Sequence, residues 1–140
     1  MRNTRLLTSV KIVPAVDPYD GAAGAMTAVE VDGRGGFDRV LFVLYTGDAT
    51  ATGTAAWKVQ AAATSGGSLS DVTSAAFTSL DDTGGNQIYV CDMPISAAKP
   101  FMKITGATAT AAIANASIAI LYRGDSLPID TSYATQAVIV

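Results

Sequence analysis

Few side chains in this chain could do chemistry. No histidine occurs among the 140 residues, so a His general base, a Ser-His-Asp triad and an imidazole metal ligand are out of reach. Two carboxylates stand together at Asp81-Asp82, the residue type an acid/base pair would use. They fall in the run Asp-Asp-Thr-Gly-Gly-Asn over 81–86, where Asp is favoured because its side chain bonds nearby backbone N–H groups. Asp17, Asp20 and Asp48 offer hard oxygen ligands, but their spacing matches no calcium loop. Gly33-Arg34-Gly35-Gly36 is not followed by a helical pattern, so a hairpin turn explains it better than a phosphate cradle. Cys91 is the single cysteine, which rules out an intrachain disulfide and a thiolate zinc site. Within Ile88-Tyr-Val-Cys91-Asp it reads as a small buried hydrophobe.

Two short motifs carry less than they spell. Arg123-Gly124-Asp125 matches an adhesion tripeptide, yet a strand-ending turn accounts for its Gly and Asp. Asn115-Ala116-Ser117 is a formal glycosylation acceptor, without weight where no secretory leader precedes it. The chemistry therefore points to a protein that binds without catalysing, with no cofactor and no metal. Two segments are candidates for partner contact. Arg2 and Arg5 are two of nine cationic residues and sit where no core pattern exists. Ala137, Val138, Ile139 and Val140 are apolar and β-prone, suited either to a last core strand or to pairing with another chain.

The elements that would carry these residues are short strands. Val40 to Tyr45 is a continuous apolar run, too short for an isolated helix and rich in β-branched and aromatic residues, which predicts a strand buried on both faces. Thr54 to Ala61 alternates, with Trp57, Val59 and Ala61 on one side and Lys58 and Gln60 on the other. That predicts a half-buried strand with the only Trp turned inward. Further strands are expected at Val10–Val13, closed by Pro14 and suited to a sheet edge because proline cannot donate to a ladder, and at Met26–Asp32, Thr73–Leu80, Gln87–Cys91, Phe101–Thr105 and Ser117–Arg123. Asp17–Gly24, Ser96–Pro100 and Ala107–Ala114 read as loops, and Gly106 as the stop of its strand. Eight or nine strands without a sustained helical period predict an all-β, antiparallel two-sheet β-sandwich of the jelly-roll type, with an immunoglobulin-like sandwich as the alternative. The organisation expected is an N-terminal arm over 1–9, a sandwich over 10–130, and a C-terminal tail or edge strand over 131–140.

The net charge is −3 and no basic stripe is present, so direct nucleic-acid binding is not expected. No apolar run approaches a membrane span, and a lone Cys suits assembly in a reducing cytoplasm.

The middle of the chain resembles a family of small structural proteins of tailed phages. The resemblance rests on Asp38-Arg39-Val40 opening an apolar strand, Ala51-Thr-Gly-Thr54, Trp57-Lys-Val-Gln60, Ser65-Gly-Gly67, Asp71-Val72 and Lys99-Pro-Phe-Met-Lys103. It covers about residues 37–128. It is similar to the jelly-roll head decoration and cementing proteins of short-tailed phages. The resemblance implies a homo-oligomer, dimer or trimer, that is assembled in the host cytoplasm. It would bind the outside of a capsid and stabilise the shell between subunits of the major capsid protein. No catalytic residue is carried over. A carbohydrate-binding or other adhesive β-sandwich module is the alternative, one that would need exposed aromatic rings.

Overall fold

The computed structural model describes residues 10–19, 24–49, 54–77, 86–109, 113–123 and 136–140. The described residues form strands and no helix. In chain order these are β1 (Val10–Tyr19), β2 (Gly24–Ala25), β3 (Val31–Asp32), β4 (Arg39–Ala49), β5 (Thr54–Ala62), β6 (Ser70–Ala76), β7 (Gln87–Pro94), β8 (Phe101–Ala109), β9 (Ile113–Tyr122) and β10 (Gln136–Ile139). The first sheet has the order β1-β9-β4-β7-β10. The second has the order β2-β8-β5-β6, with β3 also paired to β8. Every pairing is antiparallel except β10 on β7. The two sheets pack face to face as the expected β-sandwich.

The expected centre of the chain is the centre of the first sheet. β4 lies between β7 and β9, and Val40, Phe42 and Leu44 point into the core. β5 of the second sheet faces them and alternates as its sequence does, with Trp57, Val59 and Ala61 buried and Lys58 exposed. Trp57 is 2% exposed. Its indole N–H donates to Met26 Sδ at 2.6 Å. Its ring lies 5.4 Å from that of Tyr89 on β7, and Phe77 meets the same tyrosine edge-on at 5.5 Å. Three aromatic rings thus span the gap between the sheets, a geometry that adds to their apolar burial.

Several boundaries differ from those the sequence suggests, each for a physical reason. β4 is buried on both faces only at its start: of its outward side chains Leu41 is buried and Val43 half-buried. Alternate side chains of a strand face opposite ways, so Tyr45 lies on the outside and is 47% exposed. β1 does not close at Pro14 but runs to Tyr19, taking in Asp17 and Pro18. It lies at a sheet edge, where proline is tolerated, and absorbs its irregularity in register breaks between Pro14 and Val16 and between Val16 and Tyr19. Met26–Asp32 is not one strand. It is split into β2, a lone bridge from Val16 to Ala28, and β3. β6 begins at Ser70, β7 continues through Asp92 to Pro94, and β9 begins at Ile113. Gly106 does not stop β8, which passes through it to Ala109.

Candidate interaction surfaces

Four sheet edges define where another chain could pair, and their sequences treat them differently. Exposed edges are blunted by proline, charge, bulges or brevity. β1 carries Pro14, Pro18, Lys11, Asp17 and two register breaks. The opposite edge of the second sheet consists of β2 and β3, of two residues each. β6 is bulged against β5 between Lys58 and Gln60, has Ser74 at a φ of 64°, and carries Asp71. β10 has none of these guards apart from its length. Gln136 to Ile139 pairs with Tyr89 to Asp92 without a break, and it holds no proline and no charge. The Val140 N–H donates to the Asp92 carbonyl at 2.9 Å. Strand periodicity then turns the N–H groups of Ala137 and Ile139 away from β7. Val138 packs against the core, while Ile139 is 67% exposed, the most exposed large apolar side chain among the described residues.

β10 is held by a charged cluster at one end of the outer face. Arg39 Nε donates to Asp92 Oδ1 at 3.1 Å and to the Tyr122 hydroxyl at 3.3 Å, and the Tyr122 hydroxyl donates to the same carboxylate oxygen at 2.7 Å. Arg39 Nη2 reaches the Val140 carbonyl at 3.4 Å. The residues come from β9, β4 and β7 and the end of β10, so four adjacent strands are tied together. The Asp92 hydrogen bond holds the Arg39 guanidinium above its usual pKa. Burial first, then the bond to Asp92, pushes the Tyr122 phenol up.

The two outer faces differ in character. On the second sheet Lys58 pairs with Asp71 at 2.9 Å, Gln60 donates to Asp71 at 2.6 Å, and Thr105 donates to Gln60 at 2.9 Å. On the first sheet the corresponding positions are Ile12, Ile118 and Tyr45, all exposed. Sequence reasoning missed these three. The signal was present as apolar runs longer than one buried face requires, and it reads equally as burial on both faces.

The candidate chemistry falls as follows. Arg2, Arg5, Asp20, Asp81, Asp82, Gly124 and Asp125 lie outside the described residues. Asp17 and Asp48 lie in β1 and β4, not in loops. Among the described residues no group of three or more His, Cys, Asp or Glu converges on a metal position. Asn115 is buried in β9, where Nδ2 donates to the Ile113 carbonyl at 3.0 Å, so the folded chain does not offer it as a glycan acceptor. Arg123 Nε donates to the Gly36 carbonyl at 2.8 Å and closes the turn before β4. Gly35 and Gly36 there have φ of 108° and 87°, a region open to glycine. A shallow hollow of about 270 Å³ is walled by Ala56, Trp57, Lys58, Ala76, Phe77, Thr105 and Gly106. Cys91 is buried, and burial followed by the Asp92 charge pushes its thiol up to about 12. Because the thiolate is the reactive form, Cys91 is expected to resist a thiol reagent at pH 8 in the native protein and to react at once in denaturant. Comparable labelling rates in the two states, followed by mass spectrometry, would refute this.

No family model matches the chain, and no curated protein matches it.

Proposed function

We propose that this chain is a structural virion protein that binds the outside of a phage capsid and cements the shell between subunits of the major capsid protein. It would act as a homo-oligomer, dimer or trimer, without catalysis or cofactor. The observation that carries the reading is the unguarded edge of β10. Its outward N–H and C=O groups and the exposed Ile139 suit strand addition, in which main-chain bonds supply affinity and alternate side chains supply specificity. The sequence resemblance over about residues 37–128 supplies the shell as the target. The strand order supports a jelly roll: leaving out the two-residue β2, the chain switches between a β1-β9-β4-β7 sheet and a β3-β8-β5-β6 sheet at every step from β1 to β9 except the β5–β6 hairpin, as in two four-stranded sheets of Greek-key connection. β2 and β10 are then additions to the eight strands of that fold. The alternative of a sugar-binding module has less support, since Trp57 is buried and serves the core.

The test is rebinding to shells stripped of the protein, read by co-sedimentation and by recovered heat resistance. Ile139→Pro removes one outward N–H and leaves the β7-facing bonds in place, so it is expected to weaken rebinding about tenfold or more with the melting temperature within a few degrees of wild type. Removing residues 1–6 is expected to weaken chiefly the salt-sensitive part of binding. Rebinding of Ile139→Pro at wild-type strength would overturn the β10 contact. Failure of the wild type to rebind at any salt concentration would overturn the cementing role.

A further inference from the structure

A hollow of about 240 Å³ opens between the two sheets, where β6 begins and β7 ends. Ala61 of β5, Val72 of β6, and Met93 and Pro94 of β7 give it apolar walls. Ala61 and Met93 are buried and Val72 packs against the core, so the walls are fixed by the fold. The end of β7 is left unpaired on this side. β10 pairs with β7 only from Tyr89 to Asp92, and Pro94 has no N–H with which to extend that ladder. Beyond it Ser96 and Lys99 form a bridge, closed by the Lys99 N–H on the Ser96 carbonyl at 3.1 Å. This turn sets Lys99 on the rim of the hollow.

The rim carries two charges in different states. The Asp71 carboxylate is already engaged, accepting from Lys58 Nζ at 2.9 Å and from Gln60 Nε2 at 2.6 Å. Lys99 Nζ donates to a neutral group, the Ser70 hydroxyl, at 2.6 Å, and Ser70 Oγ donates on to the Ala61 carbonyl at 3.3 Å. Among the described residues Lys99 enters no ion pair. Its ammonium has three donors, so it can still bind an anion while Ser70 holds it in place.

We propose that this hollow is a binding site for a small aliphatic monocarboxylate. The hydrocarbon chain lies on Ala61, Val72, Met93 and Pro94, and the carboxylate accepts from Lys99 Nζ. Charge selects the anion. Lys58 and Asp71 offset each other, and Lys99 leaves a positive charge at the mouth. A hydrogen bond from an ammonium to a carboxylate is about twice as strong as one between neutral groups, so an alcohol or an amide gains less. A free amino acid would bring its own ammonium against Lys99. Size selects a short chain. At about 30 Å³ per heavy atom, the share of a water in the liquid, the hollow holds on the order of eight heavy atoms, as in hexanoate. The site is separate from the outer edge of β10.

Titration of the full chain with sodium hexanoate, followed by amide NMR, tests this. Saturable shifts are expected at Ser70, Val72, Met93 and Lys99, with millimolar affinity. Hexanamide and hexylammonium, of equal chain length, are expected to bind about fivefold more weakly or less. Lys99→Met keeps the apolar stem and removes the charge. It is expected to weaken hexanoate by a similar factor and to leave hexanamide unchanged. Added salt is expected to weaken hexanoate more than hexanamide. Should Lys99→Met fail to fold, the comparison of the three probes on the wild type still decides the matter. Equal binding of hexanoate and hexanamide, or of hexanoate to Lys99→Met and wild type, would overturn the proposal. So would shifts that do not saturate, or that centre on the hollow beside Gly106. Acetate binding as tightly as hexanoate would overturn it too, because the apolar walls would then take no part.

Discussion

Trp57→Ala is expected to lower the unfolding free energy by about 3–5 kcal/mol, the range for removing a large buried aromatic. The indole is 2% exposed and touches groups from both sheets: Met26 through its N–H and Tyr89 across the sandwich. Truncation leaves a cavity whose walls are strands locked in ladders, so collapse around it is limited. It also takes the indole away from the Tyr89 ring, against which Phe77 remains edge-on. Urea denaturation followed by far-UV circular dichroism reads the loss without relying on the deleted fluorophore. In the wild type the same burial predicts blue-shifted, quencher-resistant Trp emission. A loss below about 1 kcal/mol, the range of surface substitutions, would mean that the ring does not bridge the sheets.

The sandwich was legible wherever side-chain alternation and burial agree. β5 shows this most plainly, because Trp57, Val59 and Ala61 take one face and Lys58 and Gln60 the other. Misreadings cluster where a residue has two physical uses. Pro14 marks an edge as well as an end; β1 is the edge strand expected, and only the end at Pro14 is misread. Asp92 belongs equally to a turn or to an ion pair inside a strand. It lies in β7 because Arg39 and Tyr122, 53 and 30 residues away in sequence, neutralise it. No local pattern announces such a partner. Val40 to Tyr45 shows the same limit for surfaces. A strand covered on both faces and a strand with one sticky outer face have the same apolar composition, and only the sheet order separates them.

The terminal segment was legible as β-prone and apolar, but not as to its partner. Val138 against the core and the Val140 bond to Asp92 place β10 on its own chain. The edge facing away from β7 is what remains for another. Arg2 and Arg5 lie outside the described residues, so the arm stays an expectation of the sequence, to be tested by truncation as above.

Gly106→Ala is expected to destabilise the fold by about 3 kcal/mol or more, at the upper end of overpacking. Glycine inside a strand often marks a close approach of another group, and here that group is the core tryptophan. Gly106 pairs with Trp57 across the β5–β8 ladder, and its carbonyl accepts the Met26 N–H at 3.1 Å. A methyl group on Gly106 would overlap both the Ala56 carbonyl oxygen and the Trp57 indole. The indole could rotate only by giving up Met26 and Tyr89, and the carbonyl belongs to the backbone of β5 and cannot yield without opening the ladder. Gly66→Ala is the control. Gly66 has a φ of 68° but open space around it, so it should lose only the left-handed penalty of about 1–2 kcal/mol. A double-mutant cycle identifies the obstacle. In a Trp57→Ala background the indole overlap is gone and the Ala56 overlap remains, so Gly106→Ala should cost less than in the wild type but not nothing. Equal costs in the two backgrounds would assign the constraint to the β5 backbone alone. A cost no larger than that of Gly66→Ala would mean that β5 and β8 are not as close at this point as the ladder places them.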